Sequence, residues 1–293
     1  MVKVKEPPTR ERWQSCRGVE AFRYLHLVAV SELFRALRGT GVGARAFETE
    51  TEIGGLQLLA PTSGIARRAA AIMGTYYLAQ SSSTLLGGSA GVRPARVVVI
   101  GTGVTGTMAT RGMDVEVTGI NANLERLRHL QCNGTVSATL VSSPSAIGEI
   151  LGQADLVIGP ALLIGARAPL ALTTGQVGAM REGSVIVDLA IDQGDCIETS
   201  PATSLSNLAY EQGGVIHCYV SNVPGQFPPV ASRAMRTTIS SRVRQLAFEP
   251  HHPAPPDPLN VSDVPDCSSG RRCRRRITTR CLEAKDSYDT ITV

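Results

Sequence analysis

A glycine-rich turn directly after a short apolar run constrains the fold of this chain more than any other feature. Residues 96–100, of sequence RVVVI, predict a buried parallel strand, and Gly101-Thr-Gly103-Val-Thr-Gly106 follows them. The first glycine permits a tight turn, the second lets the backbone approach a pyrophosphate, and the third lets the next helix pack on the strand. The pattern predicts a dinucleotide site with Gly101, Gly103, Val104 and Gly106 at the phosphates; a purely structural turn is the alternative.

The residue expected to bind the adenosine ribose is not acidic in this chain. A carboxylate usually follows the glycine turn by about 20 positions, but the second apolar run ends in Thr118-Gly119-Ile120-Asn121. Asn121 can bond one ribose hydroxyl, yet it lacks the charge that accepts from both hydroxyls and repels a 2′-phosphate. We therefore expect weaker binding of the adenosine ribose and a smaller preference for NAD over NADP. The alternative is that Asn121 is an ordinary turn asparagine without a role in binding.

Short apolar runs alternate with helical patterns along the middle of the chain. The predicted strands after the first are 115–120, 154–159, 184–191 and 214–220, and the predicted helices are 65–79, 124–131, 145–151 and 174–180. Strands that alternate with helices through short loops indicate an α/β fold with a doubly wound parallel sheet.

Composition excludes several classes of function. The chain has 293 residues, 43% of them apolar and 18% charged, which is typical of a globular protein. A net charge of +4 and 4% aromatic residues argue against nucleic-acid binding. No apolar run is long enough to span a membrane, and no secretory signal is evident. Seven scattered cysteines without zinc spacing predict the reducing cytoplasm and no metal site.

Several motifs, in order along residues 1–247, resemble the alanine dehydrogenase family and the related transhydrogenase NAD domains. The resemblance implies a Rossmann domain and a second, substrate-binding domain. The segments that carry it are Val2-Lys-Val-Lys-Glu-Pro7, Tyr24-Leu-His-Leu27, Leu59-Ala-Pro-Thr-Ser63, Val97-Val-Val-Ile-Gly-Thr-Gly103, Gly165-Ala-Arg-Ala-Pro169, Val187-Asp-Leu-Ala-Ile-Asp-Gln-Gly194 and Val220-Ser-Asn-Val-Pro224.

The resemblance implies a role for individual residues. Lys5 would bind the keto-acid, His26 would be the catalytic histidine at the substrate carbonyl, and Asp192 would lie beside the nicotinamide and the reacting amine. Without the resemblance, His26 would be an ordinary core histidine and Lys5 a solvated lysine. The remaining expected cofactor contacts are Ser63, Arg126, Ser142, Asn222 and Val223.

The reaction that the resemblance implies is the reversible oxidative deamination of L-alanine. Alanine, NAD and water would give pyruvate, ammonium and NADH, with the hydride chemistry supplied by the cofactor. The expected partners are therefore small molecules, and the symmetric assemblies of the family leave a homo-oligomer open.

The sequence also departs from the family pattern. The chain starts just before the lysine motif, so we expect an N-terminally truncated substrate domain without the arginine that clamps the substrate carboxylate. The helix after the glycine turn is three residues short. We expect a partial substrate domain over 1–57, a Rossmann domain over 58–228, a partial return over 229–250 and a disordered Pro/Arg-rich tail over 251–293. We therefore expect impaired activity in this chain, and the departures favour a second hypothesis, a truncated non-catalytic dinucleotide-binding pseudoenzyme.

Overall fold

The computed structural model describes residues 2–4, 20–25, 33, 37, 43–48, 50, 56, 58–101, 113–159, 171–189, 197–199, 208–219 and 222–248. These residues form two compact units. One unit contains the described residues up to Pro61 together with those from Ser232 onward, and the other contains the described residues from Thr62 to Ala231. No described helix is both long and apolar enough to cross a membrane.

The larger unit is built on a seven-stranded sheet. Its spatial order is β5-β4-β3-β6-β7-β9-β8, and every neighbouring pair is parallel except the last, β8 with β9. The parallel part has the strand order of a Rossmann sheet, with the order reversing between β3 and β6. The strands are β3 (Arg96–Ile100), β4 (Glu116–Asn121), β5 (Ala138–Val141), β6 (Leu156–Ile158), β7 (Val185–Val187), β8 (Tyr210–Gln212) and β9 (Val215–Cys218).

Each face of this sheet has its own apolar core, because successive side chains of a strand point to opposite faces. In β3, Val97 and Val99 belong to one core, whereas Val98 and Ile100 belong to the other. The first core includes residues of helix α1 (Ala60–Ser81); the second includes residues of α3 (Pro144–Leu151) and α4 (Thr174–Gly178). Helices therefore cover both faces, which confirms the predicted doubly wound α/β fold.

Local sequence signals set the ends of the shorter helices. The side chain of Asn123 caps α2 (Leu124–Cys132) by accepting the N–H of Arg126, and Ser143 caps α3 in the same way. Thr173 and Gln176 form a reciprocal capping box on α4. These side chains satisfy N–H groups that the first turn of a helix leaves without an intrahelical partner.

The smaller unit contains two parallel strands, β1 (Glu20–Arg23) and β2 (Gly43–Ala46). An aromatic group packs beside them: the ring of Phe47 lies edge-on to Phe22 at 4.5 Å and to Tyr24 at 5.2 Å between centroids. The described side chains of the final helix, α5 (Pro228–Phe248), add Met235 to this group, and Arg242 pairs with Glu50.

All five strands predicted in the larger unit are present. Their ends differ: of the strand expected over 184–191, the described residues 184–189 contain Val185–Val187. The sequence pattern does not predict β5 and β8, which are the two edge strands. The substrate-binding and cofactor-binding roles assigned to the two parts of the chain stay predictions. The expected tail, 251–293, lies outside the described residues.

Candidate functional site

Gly101 begins the predicted dinucleotide turn at the carboxyl end of β3. Its φ is +71°, a conformation that glycine adopts without the steric cost of a Cβ. Its N–H donates to the carbonyl of Ile120 at 2.9 Å, which keeps the start of the turn joined to β4. Open α/β sheets bind ligands at the carboxyl ends of the strands where the strand order reverses, and β3 is one of the two strands at that point here.

Asn121 and Ser142 lie at the carboxyl ends of the next two strands. The carbonyl of Asn121 accepts the N–H of Ser142 at 3.1 Å, so the structure brings these two predicted residues together beside the glycine turn. The Asn121 Oδ1 atom accepts the N–H of Asn123 at 2.8 Å. The Asn121 side chain therefore still has its amide Nδ2 and the second lone pair of Oδ1 to offer a ribose hydroxyl.

Arg126 lies in the first turn of α2, three residues after the capping Asn123. Its side chain is half-buried at the same edge of the sheet. Ser63, in contrast, is a half-buried residue of the first turn of α1. Among the described residues, no hydrogen bond joins Ser63 to Gly101, Asn121 or Ser142.

Asn222 and Val223 follow β9. Asn222 has a left-handed backbone (φ 55°, ψ 48°) and begins a short 3₁₀ helix, Val223–Gln226. The Val223 side chain is 3% exposed and packs in the core that includes α1. Its backbone rather than its side chain is therefore the part that remains for a cofactor contact.

Six predicted residues lie outside the described residues, and their predicted roles remain predictions. They are Lys5, His26, Gly103, Val104, Gly106 and Asp192.

The structure adds two buried charged residues that the sequence analysis did not single out. Arg67 of α1 is 3% exposed, and its Nη2 donates to the carbonyl of Gly101 at 2.9 Å. Burial lowers the pKa of Arg67 to about 10, so the guanidinium stays protonated at neutral pH. The sequence does contain a signal for Arg67: of two adjacent arginines in an alanine-rich helix, one is expected to point towards the core.

Asp188 is the second of these buried ionisable residues, and it directly follows β7. It is fully buried, and its N–H donates to the carbonyl of Cys218 at 3.0 Å. A Cβ on the neighbouring Gly159 would lie 3.0 Å from the Asp188 Cα, so the carboxyl ends of β6 and β7 approach closely. An acid directly after an entirely apolar run was the signal that could have identified it.

The chemistry of this edge fits a dinucleotide. The predicted turn starts on a glycine with a positive φ, and the buried guanidinium of Arg67 donates to the carbonyl of that glycine, near where a pyrophosphate would bring negative charge. Among the described residues, no group of three or more His, Cys, Asp or Glu side chains is arranged to hold a metal ion.

Comparisons with known proteins agree with this geometry. The family model "Alanine dehydrogenase/PNT, C-terminal domain" matches residues 69–254. The alanine dehydrogenase of Bacillus subtilis (strain 168) is 40% identical over 255 residues, which cover 84% of this chain and 68% of the relative. That of Halomonas elongata is 40% identical over 256 residues, covering 84% and 69%.

Solved structures give the same result. An L-alanine dehydrogenase superposes with a TM-score of 0.73 at 38% identity, covering 84% of this chain and 70% of that one. A transhydrogenase from Sinorhizobium meliloti, at 23% identity and a TM-score of 0.68 over 84% and 74% of the two chains, shares the fold. The family model covers more than half of the chain, and the relatives are matched over more than two thirds of their length. The chain therefore belongs to the alanine dehydrogenase family of dinucleotide-dependent oxidoreductases.

Proposed function

We propose that this chain catalyses the NAD-dependent, reversible oxidative deamination of L-alanine to pyruvate and ammonium in the cytoplasm. The observation that carries the proposal is the 40% identity to a named alanine dehydrogenase along 84% of the chain. The glycine turn at the strand-order reversal supports it, because this is where a Rossmann sheet binds a dinucleotide.

The chain's part in binding the dinucleotide begins at the carboxyl edge of the sheet. The backbone of the glycine turn would bind the pyrophosphate, and Asn121 and Arg126 would bind the adenosine ribose. The bound cofactor supplies the acceptor for the hydride that leaves the alanine Cα. The rest of the protein's task is to orient the substrate and to move protons.

Three residues outside the described part of the chain would act on the substrate. Lys5 would hold the substrate oxygens by charge-assisted hydrogen bonds. His26 would exchange a proton with the carbonyl or carbinolamine oxygen, because an imidazole titrates near neutral pH. Asp192 would accept a hydrogen bond from the water or ammonia that adds at the same carbon.

The geometry of Asn121 supports a weak preference for NAD over NADP. Its side chain is a neutral amide, whose Nδ2 can donate a hydrogen bond to a ribose hydroxyl. A donor without negative charge does not repel a 2′-phosphate, whereas the usual carboxylate does. We expect the kcat/KM values for NAD and NADP to differ by less than in enzymes with an acid at this position.

The test measures NADH formation at 340 nm with L-alanine at alkaline pH, and NADH consumption with pyruvate and ammonium. We expect turnover in both directions, lost in His26→Ala and Asp192→Asn. The matched controls are His129→Ala and Asp114→Asn, which change exposed residues of the same types and should keep wild-type rates. Light scattering on the same samples tests for a homo-oligomer.

Fluorescence titration with NADH separates the possible failures. Binding without turnover in either direction refutes the enzyme and leaves a non-catalytic dinucleotide-binding protein. Absence of both binding and turnover refutes the proposal altogether.

A further inference from the structure

Two successive arginines on α1 have opposite environments. Arg68 is exposed, whereas Arg67 is 3% exposed and its Nη2 donates to the Gly101 carbonyl at 2.9 Å. The Nη1 atom of Arg67 is also buried, and no described residue accepts a hydrogen bond from it. The guanidinium therefore sits beside the first residue of the glycine turn, and one of its donor nitrogens has no acceptor among the described residues.

Such a group is costly for the folded chain. A buried cation without a counter-charge loses its hydration, and no described carboxylate forms an ion pair with Arg67. Burial lowers its pKa to about 10, which is still well above neutral pH, so the charge is not lost by deprotonation. The cost is recovered when an anion comes close to the guanidinium.

The position of the charge indicates which anion this is. Gly101 is at the carboxyl end of β3, where the strand order reverses and where the turn would meet the phosphates of a dinucleotide. A trans peptide points its N–H and C=O groups in opposite directions, so holding the Gly101 carbonyl fixes the direction of the donor in the same peptide. Arg67 thus acts on the turn both by charge and by orientation.

We propose that Arg67 is a positioning residue for the pyrophosphate of the bound dinucleotide, holding the Gly101 carbonyl and supplying a permanent positive charge behind the glycine turn. This inference rests on the proposed function, because it assumes that the turn binds a dinucleotide. It assigns to α1 a part in cofactor binding that the glycine motif does not include.

The test compares ligands that differ in phosphate. Binding of NADH is followed by its fluorescence, and binding of ADP and adenosine by displacement of NADH, for the full chain and its Arg67→Met and Arg67→Lys variants. We expect Arg67→Met to weaken the binding of NADH and of ADP by about tenfold or more, because their phosphates carry negative charge. The affinity for adenosine, which has no phosphate, should change less than twofold. Arg67→Lys keeps the positive charge and should therefore lose less affinity for NADH and ADP than Arg67→Met.

Two controls separate positioning of the ligand from stabilisation of the fold. Arg68→Met removes the same charge from the exposed neighbour and should change every affinity less than twofold. The urea midpoint of Arg67→Met measures what Arg67 contributes to the fold, since this variant loses both the cost of the buried charge and the hydrogen bond to the Gly101 carbonyl. A residue that only clamps α1 to β3 predicts a lower midpoint together with adenosine binding weakened as much as ADP binding.

The outcomes are distinct. Arg67→Met with wild-type affinity for NADH and ADP, or with adenosine weakened as much as ADP, overturns the inference while the proposed function stands. A wild-type chain that binds neither NADH nor ADP overturns both.

Discussion

Gly74 of α1 faces the side chain of Leu156 in β6, and the contact leaves no room for a methyl group. A Cβ at position 74 would lie 2.6 Å and 2.7 Å from the two methyl carbons of Leu156, more than 1 Å inside normal contact distance. Leu156 is fully buried in the core on that face, so it cannot turn into solvent. We therefore expect Gly74→Ala to destabilise the protein although alanine favours helices.

The magnitude follows from two opposing effects. Forcing a methyl group into a packed core costs up to about 3 kcal/mol, and replacing glycine by alanine inside a helix recovers about 1 kcal/mol. Gly74→Ala should therefore lower the free energy of unfolding by about 2 kcal/mol, measured by urea denaturation followed by far-UV circular dichroism.

A second glycine offers a matched control. Gly148 lies in α3, and a Cβ there would meet nothing within 4 Å, so Gly148→Ala should stabilise by about 1 kcal/mol. In a Leu156→Ala background the opposing methyl groups are gone, and Gly74→Ala should no longer destabilise. If Gly74→Ala is as stable as the wild type, or if its effect is unchanged in the Leu156→Ala background, the reasoning from close packing is wrong.

Two further predictions concern buried titratable groups. Burial lowers the pKa of His217, so the unfolded chain binds its proton more readily and stability is lost as the pH falls below about 6.5. His217→Gln should therefore flatten the dependence of the unfolding free energy on pH between about 5 and 7, whereas His129→Gln, at an exposed position, should not. Equal slopes for the two variants would contradict this. Burial also raises the pKa of Cys218 to about 11, whereas Cys132 is exposed. Iodoacetamide at pH 8 should label native Cys132 at least about 100-fold faster than Cys218, read by peptide mass spectrometry, and comparable labelling rates would refute it.

The centre of the sheet could be predicted from the sequence because its strands are buried on both faces. The β6 strand and the last four residues of β3 are continuous apolar runs whose β-branched residues carry the signal by themselves. The edge strands β5 and β8 contain exposed residues and no such run, so only their pairing with a neighbour defines them. Strand pairing depends on residues distant in sequence, which a local pattern does not contain.

The candidate site divides in a similar way. Gly101 and Asn121 could be predicted at the ends of β3 and β4 because their position after an apolar run is a local property of the sequence. The contact between Arg67 and Gly101 joins positions 34 residues apart, and a helix periodicity cannot say which carbonyl a buried arginine meets. The hydrogen bond from the Asn123 N–H to the Asn121 Oδ1 likewise depends on the backbone turn between them, which residue type alone does not determine.

The two edges of the seven-stranded sheet differ in how they resist association with another molecule. The β8 edge is only three residues long, runs against its neighbour and exposes Glu211, a charge that opposes pairing with a second strand. The β5 edge, Ala138–Val141, has no charged residue and exposes Val141. Edge-to-edge aggregation of partly unfolded chains would therefore begin at β5, and a lysine introduced there would protect the protein from it more effectively than one placed at β8.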